Sequence, residues 1–255
     1  MPKSIAVAGK GGTGKTTIAA LLIARLRELG RGPVLAVDAD PDSNLGNLLG
    51  IEPQESIGDL REEVRREIAS FPAGMSKAAY VEAGLHQLIE EAEGFDLVTM
   101  GRGEGSGCYC YLNTLIKKFS DDLAPSYAWM VMDNEAGLEH LSRRTSVDID
   151  ALIVVVNDNP ISLASARKIQ DITDDLASRI RSRFVVTNMI KKERMAVVQK
   201  RLSELELEYV ADIPYDPAVE DCIYEGKPLL ALEASPVLEV IDSILNRIGG
   251  VNGGS

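Results

Sequence analysis

The 255-residue sequence lacks the features of membrane, secreted and nucleic-acid-binding proteins. No segment approaches the roughly 18 consecutive apolar residues that a membrane-spanning helix needs. The chain opens in a β-branched run instead of a charged and then apolar leader, so we expect a cytoplasmic protein. Basic residues are in deficit, with 27 Lys and Arg against 39 Asp and Glu and a net charge of −12. Because this charge repels DNA and anionic lipids, we expect neither a nucleic-acid partner nor stable membrane association.

A phosphate-binding loop is the strongest motif present. Gly9 to Thr17 reads Gly-Lys-Gly-Gly-Thr-Gly-Lys-Thr-Thr, between a β-branched strand candidate and a segment with helical spacing. Glycines let the backbone N–H groups surround a phosphate, Lys15 reaches the β and γ phosphates, and the Thr16 hydroxyl ligates Mg²⁺. A chance glycine-rich turn is the alternative, and the complete motif in this context disfavours it. The predicted nucleotide-binding residues of the loop are Gly11, Gly12, Thr13, Gly14, Lys15, Thr16 and Thr17.

Alternating strand and helix patterns predict an α/β fold with a doubly wound, mainly parallel β-sheet flanked by helices. With 45% hydrophobic residues, residues 1–250 are expected to form one P-loop ATPase domain, followed by a flexible tail at 251–255. A last helix at 236–248 carries an apolar stripe, which we interpret as packing on the sheet; a membrane-binding tail is the alternative. The strand candidates are 4–8, 34–38, 95–100, 128–133, 151–156, 183–187 and 207–213.

Acidic side chains follow two of these strands. Asp38 ends the strand at 34–38 and Asp40 follows it, and Asp133 ends the strand at 128–133, with Gly137 as a hinge of the loop after it. Carboxylates at the carboxyl edge of a parallel sheet face the ligand crevice, so Asp38 and Asp133 are predicted, with Thr16, to hold Mg²⁺. These aspartates could instead be turn formers and helix caps, but two such segments behind a complete phosphate loop favour the functional interpretation.

The phosphate loop, Asp38 to Pro41 and Asp133 to Gly137 together resemble the deviant Walker A ATPases. These include cell-division and partition ATPases, nitrogenase iron protein and metallocluster maturation factors. The resemblance implies an ATP hydrolase that forms an ATP-dependent homodimer. It implies that Lys10 crosses to the nucleotide of the facing subunit and that Asp40 positions the attacking water, so Lys10, Lys15 and Asp40 are the expected catalytic residues. It also implies adenine contacts from Asn188, Pro214 and Asp216.

Two of the three cysteines, Cys108 and Cys110, lie in a glycine-rich connection, whereas Cys222 is expected to be a buried small hydrophobe. A Cys-x-Cys pair bridges poorly, and a stable disulfide is disfavoured in a reducing cytoplasm, so thiolate metal ligation is the better explanation. Two thiolates cannot complete a four-coordinate site, and no nearby His or Cys helps them. Two subunits would supply four, which predicts a metal site on the dimer axis. His86 and His140 are expected to be structural.

Within the family, the Cys-x-Cys pair and the stretch from Asp133 to Leu141 resemble the CooC-type maturation ATPases, which assist nickel insertion into carbon monoxide dehydrogenase; near relatives serve acetyl-CoA synthase. The resemblance implies ATP and Mg²⁺ as cofactors, Ni²⁺ or Zn²⁺ at Cys108 and Cys110, and such a nickel enzyme as client. The turn Asn157 to Pro160 departs from the Glu-Pro expected there.

Three alternatives stay open. An iron–sulfur scaffold ATPase would also pair cysteines at a dimer interface, usually spaced Cys-x-x-Cys. A nitrogenase-iron-protein-like reductase needs a second cysteine-bearing loop, and the segment from Asp133 to Gly137 contains no cysteine. A positioning ATPase of the MinD or ParA type needs a basic DNA-binding face or a basic amphipathic tail, and the sequence shows neither.

Overall fold

The computed structural model describes residues 2–66, 76–102, 122–135, 148–175 and 180–250. They form one eight-stranded sheet in the order β3-β4-β2-β5-β1-β6-β7-β8. All neighbouring strands are parallel except β3 and β4. The strands are β1 (Lys3–Gly9), β2 (Val34–Ala39), β3 (Ile89–Ala92), β4 (Phe95–Thr99), β5 (Trp129–Asn134), β6 (Ile149–Val156), β7 (Ile180–Asn188) and β8 (Glu208–Ile213).

Helices connect most of these strands and cover both faces of the sheet. Short 3₁₀ turns lie at Ala124–Ser126 and Leu229–Ala231. The helices are α1 (Lys15–Glu28), α2 (Leu45–Leu49), α3 (Ile57–Arg66), α4 (Lys77–Gln87), α5 (Pro160–Asp175), α6 (Lys192–Leu202), α7 (Pro217–Tyr224) and α8 (Pro236–Gly250). Among the residues just delimited, no helix is long and apolar enough to cross a membrane.

The predicted fold class and all seven strand candidates are confirmed, with ends shifted by up to three residues. The sequence did not reveal β3, which pairs antiparallel to β4 at the sheet edge. This strand has four residues, Ile-Glu-Glu-Ala, so it carries no apolar alternation. Short, charged edge strands resist pairing with other chains, and the same property hides them from a hydrophobic pattern.

β1 occupies the centre of the sheet, between β5 and β6. Ile5 and Val7 lie in the core on the α1 and α8 side, and Ala6 and Ala8 in the core on the opposite side. A parallel strand buried on both faces reads as a continuous apolar run, which is why the first strand was recognisable. The loop after β1 therefore opens at the middle of the carboxyl edge, where α/β sheets bind ligands.

Helix α8 packs on the sheet, as the apolar stripe predicted. Its residues Leu238, Ile241, Leu245 and Ile248 are all buried. Arg25 of α1 forms a bidentate ion pair with Asp242 of α8, with Nε–Oδ1 and Nη2–Oδ2 distances of 2.9 and 2.6 Å. The stripe thus belongs to the protein core, and membrane binding through it would require α8 to detach.

Truncating this stripe should destabilise the whole domain. Replacing the fully buried Ile241 with Ala removes core contacts and leaves a cavity, so we expect Ile241→Ala to lower the free energy of unfolding by about 2–5 kcal/mol. Ser243 is exposed on the same helix, and Ser243→Ala should change it by less than about 0.5 kcal/mol. Urea denaturation measures both. Equal effects of the two substitutions would contradict the packing of α8.

Candidate nucleotide-binding site

The phosphate loop joins β1 to α1 through a sharply turned backbone. Gly14, directly before α1, has a φ of 91°, in the left-handed region. A Cβ atom there would lie 2.3 Å from Nδ2 of Asn188, so the position needs glycine for both backbone and packing reasons. The chain therefore reaches the N-terminus of α1 with its backbone close to Asn188, at the end of β7.

Internal hydrogen bonds hold the loop in shape. The buried Thr13 uses its hydroxyl and its backbone N–H to bond the carbonyl of Lys10, at 2.7 and 3.2 Å. Nδ2 of Asn188 donates to the carbonyl of Thr13 at 2.8 Å. Nδ2 of Asn157 lies 3.5 Å from the carbonyl of Gly12, a longer and weaker contact. The loop is thus preformed, with Gly11 and Gly12 exposed and Lys10 half-buried.

The register of the sheet places Asp133 next to the phosphate loop. Asp133 of β5 is aligned with Val7 of β1 on one side and with Asp38 of β2 on the other. Both aspartates have 0% exposure, and Lys15 is 6% exposed. The predicted magnesium residues therefore meet at one edge of the sheet, beside the first turn of α1.

Asp133 is a buried carboxyl group whose loss of contact with water is not fully offset by hydrogen bonds or nearby positive charge. Burial raises its pKa to about 7, and Asp38 and Asp40 add to the rise, whereas the Thr16 hydroxyl and Lys15 lower it. Thr16 does not reach hydrogen-bond geometry, and neither oxygen of Asp133 has a partner among the residues placed in the structure. A buried oxygen pair without donors is costly unless a cation or another donor completes it.

Asp38 and Asp40 are engaged with the backbone of the next loop. The two oxygens of Asp38 accept the N–H groups of Asp40 and Leu45, at 3.2 and 2.9 Å. Burial nevertheless raises the pKa of Asp38 to about 6. Oδ1 of the half-buried Asp40 accepts the N–H of Asp42 at 3.1 Å. Asp38 thus anchors the start of α2, and Asp133 is the less satisfied of the two predicted magnesium carboxylates.

An apolar cavity of about 360 Å³ lies beside the phosphate loop and the first turns of α1. Asn188, Pro214 and Asp216, the three residues expected to contact adenine, all line this cavity. The amide of Asn188 also holds the phosphate loop, and Asp216 caps α7 through Ala218 N–H at 2.9 Å and accepts the Ser235 hydroxyl. The sequence did not predict the apolar walls of the cavity, because their residues come from five separate parts of the chain: Ile18, Leu21, Met189, Ile213, Val219, Ile223 and Val237.

The predicted metal ligands Cys108 and Cys110 lie outside the described residues, as do Gly137 and His140. Cys222 is buried, as predicted, and burial raises the pKa of its thiol. Within the five described ranges, no cluster of three or more His, Cys, Asp or Glu side chains could hold a metal ion. The structure therefore leaves the Cys-x-Cys prediction untested.

The residues present fit a magnesium-bound nucleotide. The site combines a preformed glycine loop, a buried lysine, a hydroxyl at the first turn of α1 and a buried carboxylate without a partner in the described part of the chain. Groups of these kinds hold phosphates and Mg²⁺ in P-loop proteins. The adjoining apolar cavity has the size and the wall of a small-molecule site. Fold and site together define the class of P-loop nucleotide-binding proteins.

Comparison with known proteins assigns the family. The chain belongs to the CobQ/CobB/MinD/ParA nucleotide-binding domain family, whose model matches residues 4–229. An uncharacterized ATP-binding protein of Methanocaldococcus jannaschii is 38% identical over 247 residues, covering 96% of this chain and 97% of that protein. The carbon monoxide dehydrogenase accessory protein CooC of Rhodospirillum rubrum is 27% identical over 265 residues, covering 98% of each chain.

Solved structures agree with the fold. A chain of the MinC:MinD cell division protein complex of Aquifex aeolicus has a TM-score of 0.71 at 22% identity, covering 97% of this chain and 96% of that one. The septum site-determining protein MinD of Pyrococcus horikoshii, complexed with Mg-ADP, has a TM-score of 0.66 at 19% identity and covers 98% of each chain. These likenesses show the fold, and the family model shows a nucleotide-binding domain of the CobQ/CobB/MinD/ParA family.

The raised pKa of Asp133 predicts that replacing this carboxyl group increases the stability of the protein, by an amount that depends on pH. Its folded pKa of about 7 exceeds the ordinary 3.8, so its contribution to stability is greatest below about pH 4 and is lost as the pH rises through 7. Asp133→Asn removes a penalty of at most about 4 kcal/mol at pH 8. We therefore expect a melting temperature several degrees higher, with a larger gain at pH 8 than at pH 5.5, in the nucleotide-free protein.

The same variant should lose the further thermal stabilisation that Mg²⁺ and ATP give, since a ligand stabilises only a state that binds it. Asp171 on α5 is exposed, so Asp171→Asn matches the change in charge and should alter neither property. Differential scanning calorimetry measures both. An Asp133→Asn protein with unchanged pH dependence and full stabilisation by Mg²⁺ and ATP would refute this assignment.

Proposed function

We propose that this protein is an ATP-hydrolysing maturation factor that dimerises around ATP, holds nickel or zinc at Cys108 and Cys110, and assists nickel-site assembly in carbon monoxide dehydrogenase or acetyl-CoA synthase. The observation that carries the ATPase part is the buried carboxylate of Asp133 beside the phosphate loop, which has no hydrogen-bond partner among the described residues. The maturation part is supported by the similarity to the CooC accessory protein over 98% of the chain.

In ATP hydrolysis the side chains of the site would act mainly by positioning the reacting groups and by stabilising negative charge on the phosphates. Lys15 and the loop N–H groups would hold the phosphates, while Thr16 and Asp133 would hold Mg²⁺, which neutralises charge on the β and γ phosphates. Asp40 would position the attacking water. Its location supports this role, because its carboxyl group is close enough to raise the pKa of Asp133 and lies on the loop directly after β2.

Dimerisation is assigned to Lys10. The backbone carbonyl of Lys10 accepts a hydrogen bond from the Thr13 hydroxyl, which fixes the backbone at this position. The half-buried Lys10 side chain forms no ion pair with the described residues. A lysine with a fixed backbone, whose ammonium group forms no ion pair among the described residues, is suited to contact a phosphate of the facing subunit. ATP would then connect two copies of the chain.

The metal site follows from the same symmetry. One chain offers two thiolates at Cys108 and Cys110, and a twofold dimer offers four, which completes a tetrahedral site for a soft or borderline divalent ion. Hydrolysis would loosen the dimer and with it the sulfur site, so that phosphate chemistry controls metal release. The client would receive the metal when the two subunits separate.

Two alternatives remain. An iron–sulfur scaffold ATPase would use the same cysteines with a different cargo. A positioning ATPase is favoured by the likeness to MinD in fold, but the net charge of −12 opposes DNA or membrane binding, and the apolar stripe of α8 is buried. A stoichiometric iron–sulfur chromophore in anaerobically purified protein would replace the nickel proposal with the first alternative.

Lys10→Ala should separate nucleotide binding from dimerisation. We expect the variant to bind ATP within about threefold of the parent protein, because Lys15 and the loop N–H groups remain, yet to stay monomeric with a slowly hydrolysed ATP analogue. Lys168 is exposed on α5, and Lys168→Ala should dimerise normally. Multi-angle light scattering gives the mass in each state. A dimer of Lys10→Ala would refute the role of this lysine.

Replacing the paired cysteines should remove metal and spare nucleotide chemistry. Cys108→Ser with Cys110→Ser should bind less than about one tenth of the nickel that the reduced parent dimer takes up with ATP, while its ATPase rate stays within about twofold, since oxygen ligands bind soft metals poorly. Cys222→Ala is the matched control and should keep full metal binding. Equilibrium dialysis with metal analysis measures the stoichiometry. Unchanged nickel per dimer would exclude these cysteines as ligands.

A further inference from the structure

The side-chain hydroxyl of Thr99, the last residue of β4, has no hydrogen-bond partner among the residues that the structure describes. Thr99 is 4% exposed, and its hydroxyl oxygen is shielded from water. Buried hydroxyl groups in native proteins nearly always have a partner, because a buried polar atom without one costs free energy. We therefore looked for the group that this hydroxyl could bond.

The other buried threonines of the described ranges all use their hydroxyl groups within the fold. Each donates at 2.7 or 2.8 Å: Thr13 to the carbonyl of Lys10, Thr173 to the carbonyl of Gln170, and Thr187 to the carboxylate of Asp212. The fold thus satisfies its buried threonine hydroxyls elsewhere, and Thr99 differs from the other three.

The register of the sheet places Thr99 beside the predicted magnesium carboxylates. Thr99 of β4 is aligned with Asp38 of β2, and Asp38 is aligned with Asp133 of β5. The residues two positions earlier in these strands lie in the core on the α1 and α8 side: Leu97, Ala36 and Val131. Because side chains alternate along a strand, Thr99 and the two aspartates point to that same side. Three buried polar side chains therefore form one row.

The backbone holds Thr99 and Asp38 side by side. The N–H of Met100, directly after Thr99, donates to the carbonyl of Asp38 at 2.8 Å. Neighbouring strands lie about 4.8 Å apart, so aligned side chains on one face are direct neighbours. A threonine side chain has more than one favourable rotamer, and a change of rotamer redirects its hydroxyl without moving the backbone. The Asp38 carboxylate is therefore within the reach of this hydroxyl.

Asp38 can accept a further donor. Its two carboxylate oxygens accept one N–H each, from Asp40 and Leu45, whereas an ionised carboxylate has about four acceptor sites. Carboxylates that hold metal ions are normally oriented by hydrogen bonds from outer groups, and loss of such a group lowers metal affinity roughly 10- to 100-fold. A hydroxyl on the neighbouring strand is suited to this task.

We propose that Thr99 is a positioning residue of the magnesium site, whose hydroxyl donates to the Asp38 carboxylate and orients it when a magnesium-bound nucleotide binds. This role rests on the proposed ATP-binding function and extends the site to β4, a strand that contains none of the predicted site residues. The ionised carboxylate that Mg²⁺ requires is a stronger acceptor than a neutral one, so this hydrogen bond favours the metal-binding form. Thr99 acts through Asp38 and touches neither nucleotide nor Mg²⁺.

Thr99→Val removes the hydroxyl and nearly keeps the shape of the side chain. Without nucleotide and Mg²⁺ the variant should melt at or slightly above the temperature of the parent protein, since the lost hydroxyl has no described partner. With saturating adenylyl imidodiphosphate, a slowly hydrolysed ATP analogue, the Mg²⁺ concentration that gives half of the thermal stabilisation should rise about 10-fold. Differential scanning fluorimetry over a Mg²⁺ titration of the full chain measures both quantities.

Two further variants separate positioning from packing. Thr99→Ser restores a hydroxyl and should return the Mg²⁺ midpoint to within about twofold of the parent value. Thr173→Val removes a buried hydroxyl that bonds the carbonyl of Gln170, in the last turn of α5. It should lower the melting temperature and leave the Mg²⁺ midpoint unchanged. Binding of the analogue in EDTA should be equal in Thr99→Val and the parent, because Lys15 and the loop N–H groups remain.

Failure of this role and failure of the proposed function give different results. An unchanged Mg²⁺ midpoint in Thr99→Val, beside a parent protein that Mg²⁺ and the analogue stabilise, would overturn the role of Thr99 alone. A Thr99→Ser midpoint as high as that of Thr99→Val would do the same, as would a Thr99→Val protein that does not fold. A parent protein that Mg²⁺ and the analogue do not stabilise would overturn both.

Discussion

The parallel register of β2, β5 and β1 is the constraint on which the nucleotide site depends. It places Asp38, Asp133 and Val7 in one row across the sheet, one or two residues before the strands end. A slip of one residue would turn both carboxylates to the opposite face. The register is held by apolar side chains on both faces, so the core of the protein also sets the geometry of the site.

The free-energy cost of burying these two carboxyl groups falls mainly on Asp133. Asp38 shares the burial but accepts two backbone N–H groups, whereas Asp133 has none from the described chain and its pKa rises further. Uncompensated charge at a ligand site is a common trade of stability for function. The nucleotide site is thus the place where the fold gives up free energy that a bound cation can restore.

The loop that carries Lys10 is tied to the far half of the sheet. Asn188, at the end of β7, donates a hydrogen bond to the carbonyl of Thr13, and the Thr13 hydroxyl donates to the carbonyl of Lys10. Two hydrogen bonds therefore connect the wall of the apolar cavity to Lys10. On the other side, the carbonyl of Asp38 accepts the N–H of Met100, whose own carbonyl accepts the N–H of Gly58 in α3. Hydrogen bonds therefore connect the nucleotide site both to the apolar cavity and to the start of α3.

The sequence by itself determined the phosphate loop, seven of the eight strands and the acidic strand ends, because each is a local pattern of residue types. It did not reveal β3, since a four-residue charged strand leaves no hydrophobic period. Only the tertiary structure decided that Asp38 accepts two backbone N–H groups while Asp133 finds no partner among the described residues, and that Asn188 holds the loop. These properties arise between strands distant in the chain, where packing and burial set which polar groups meet.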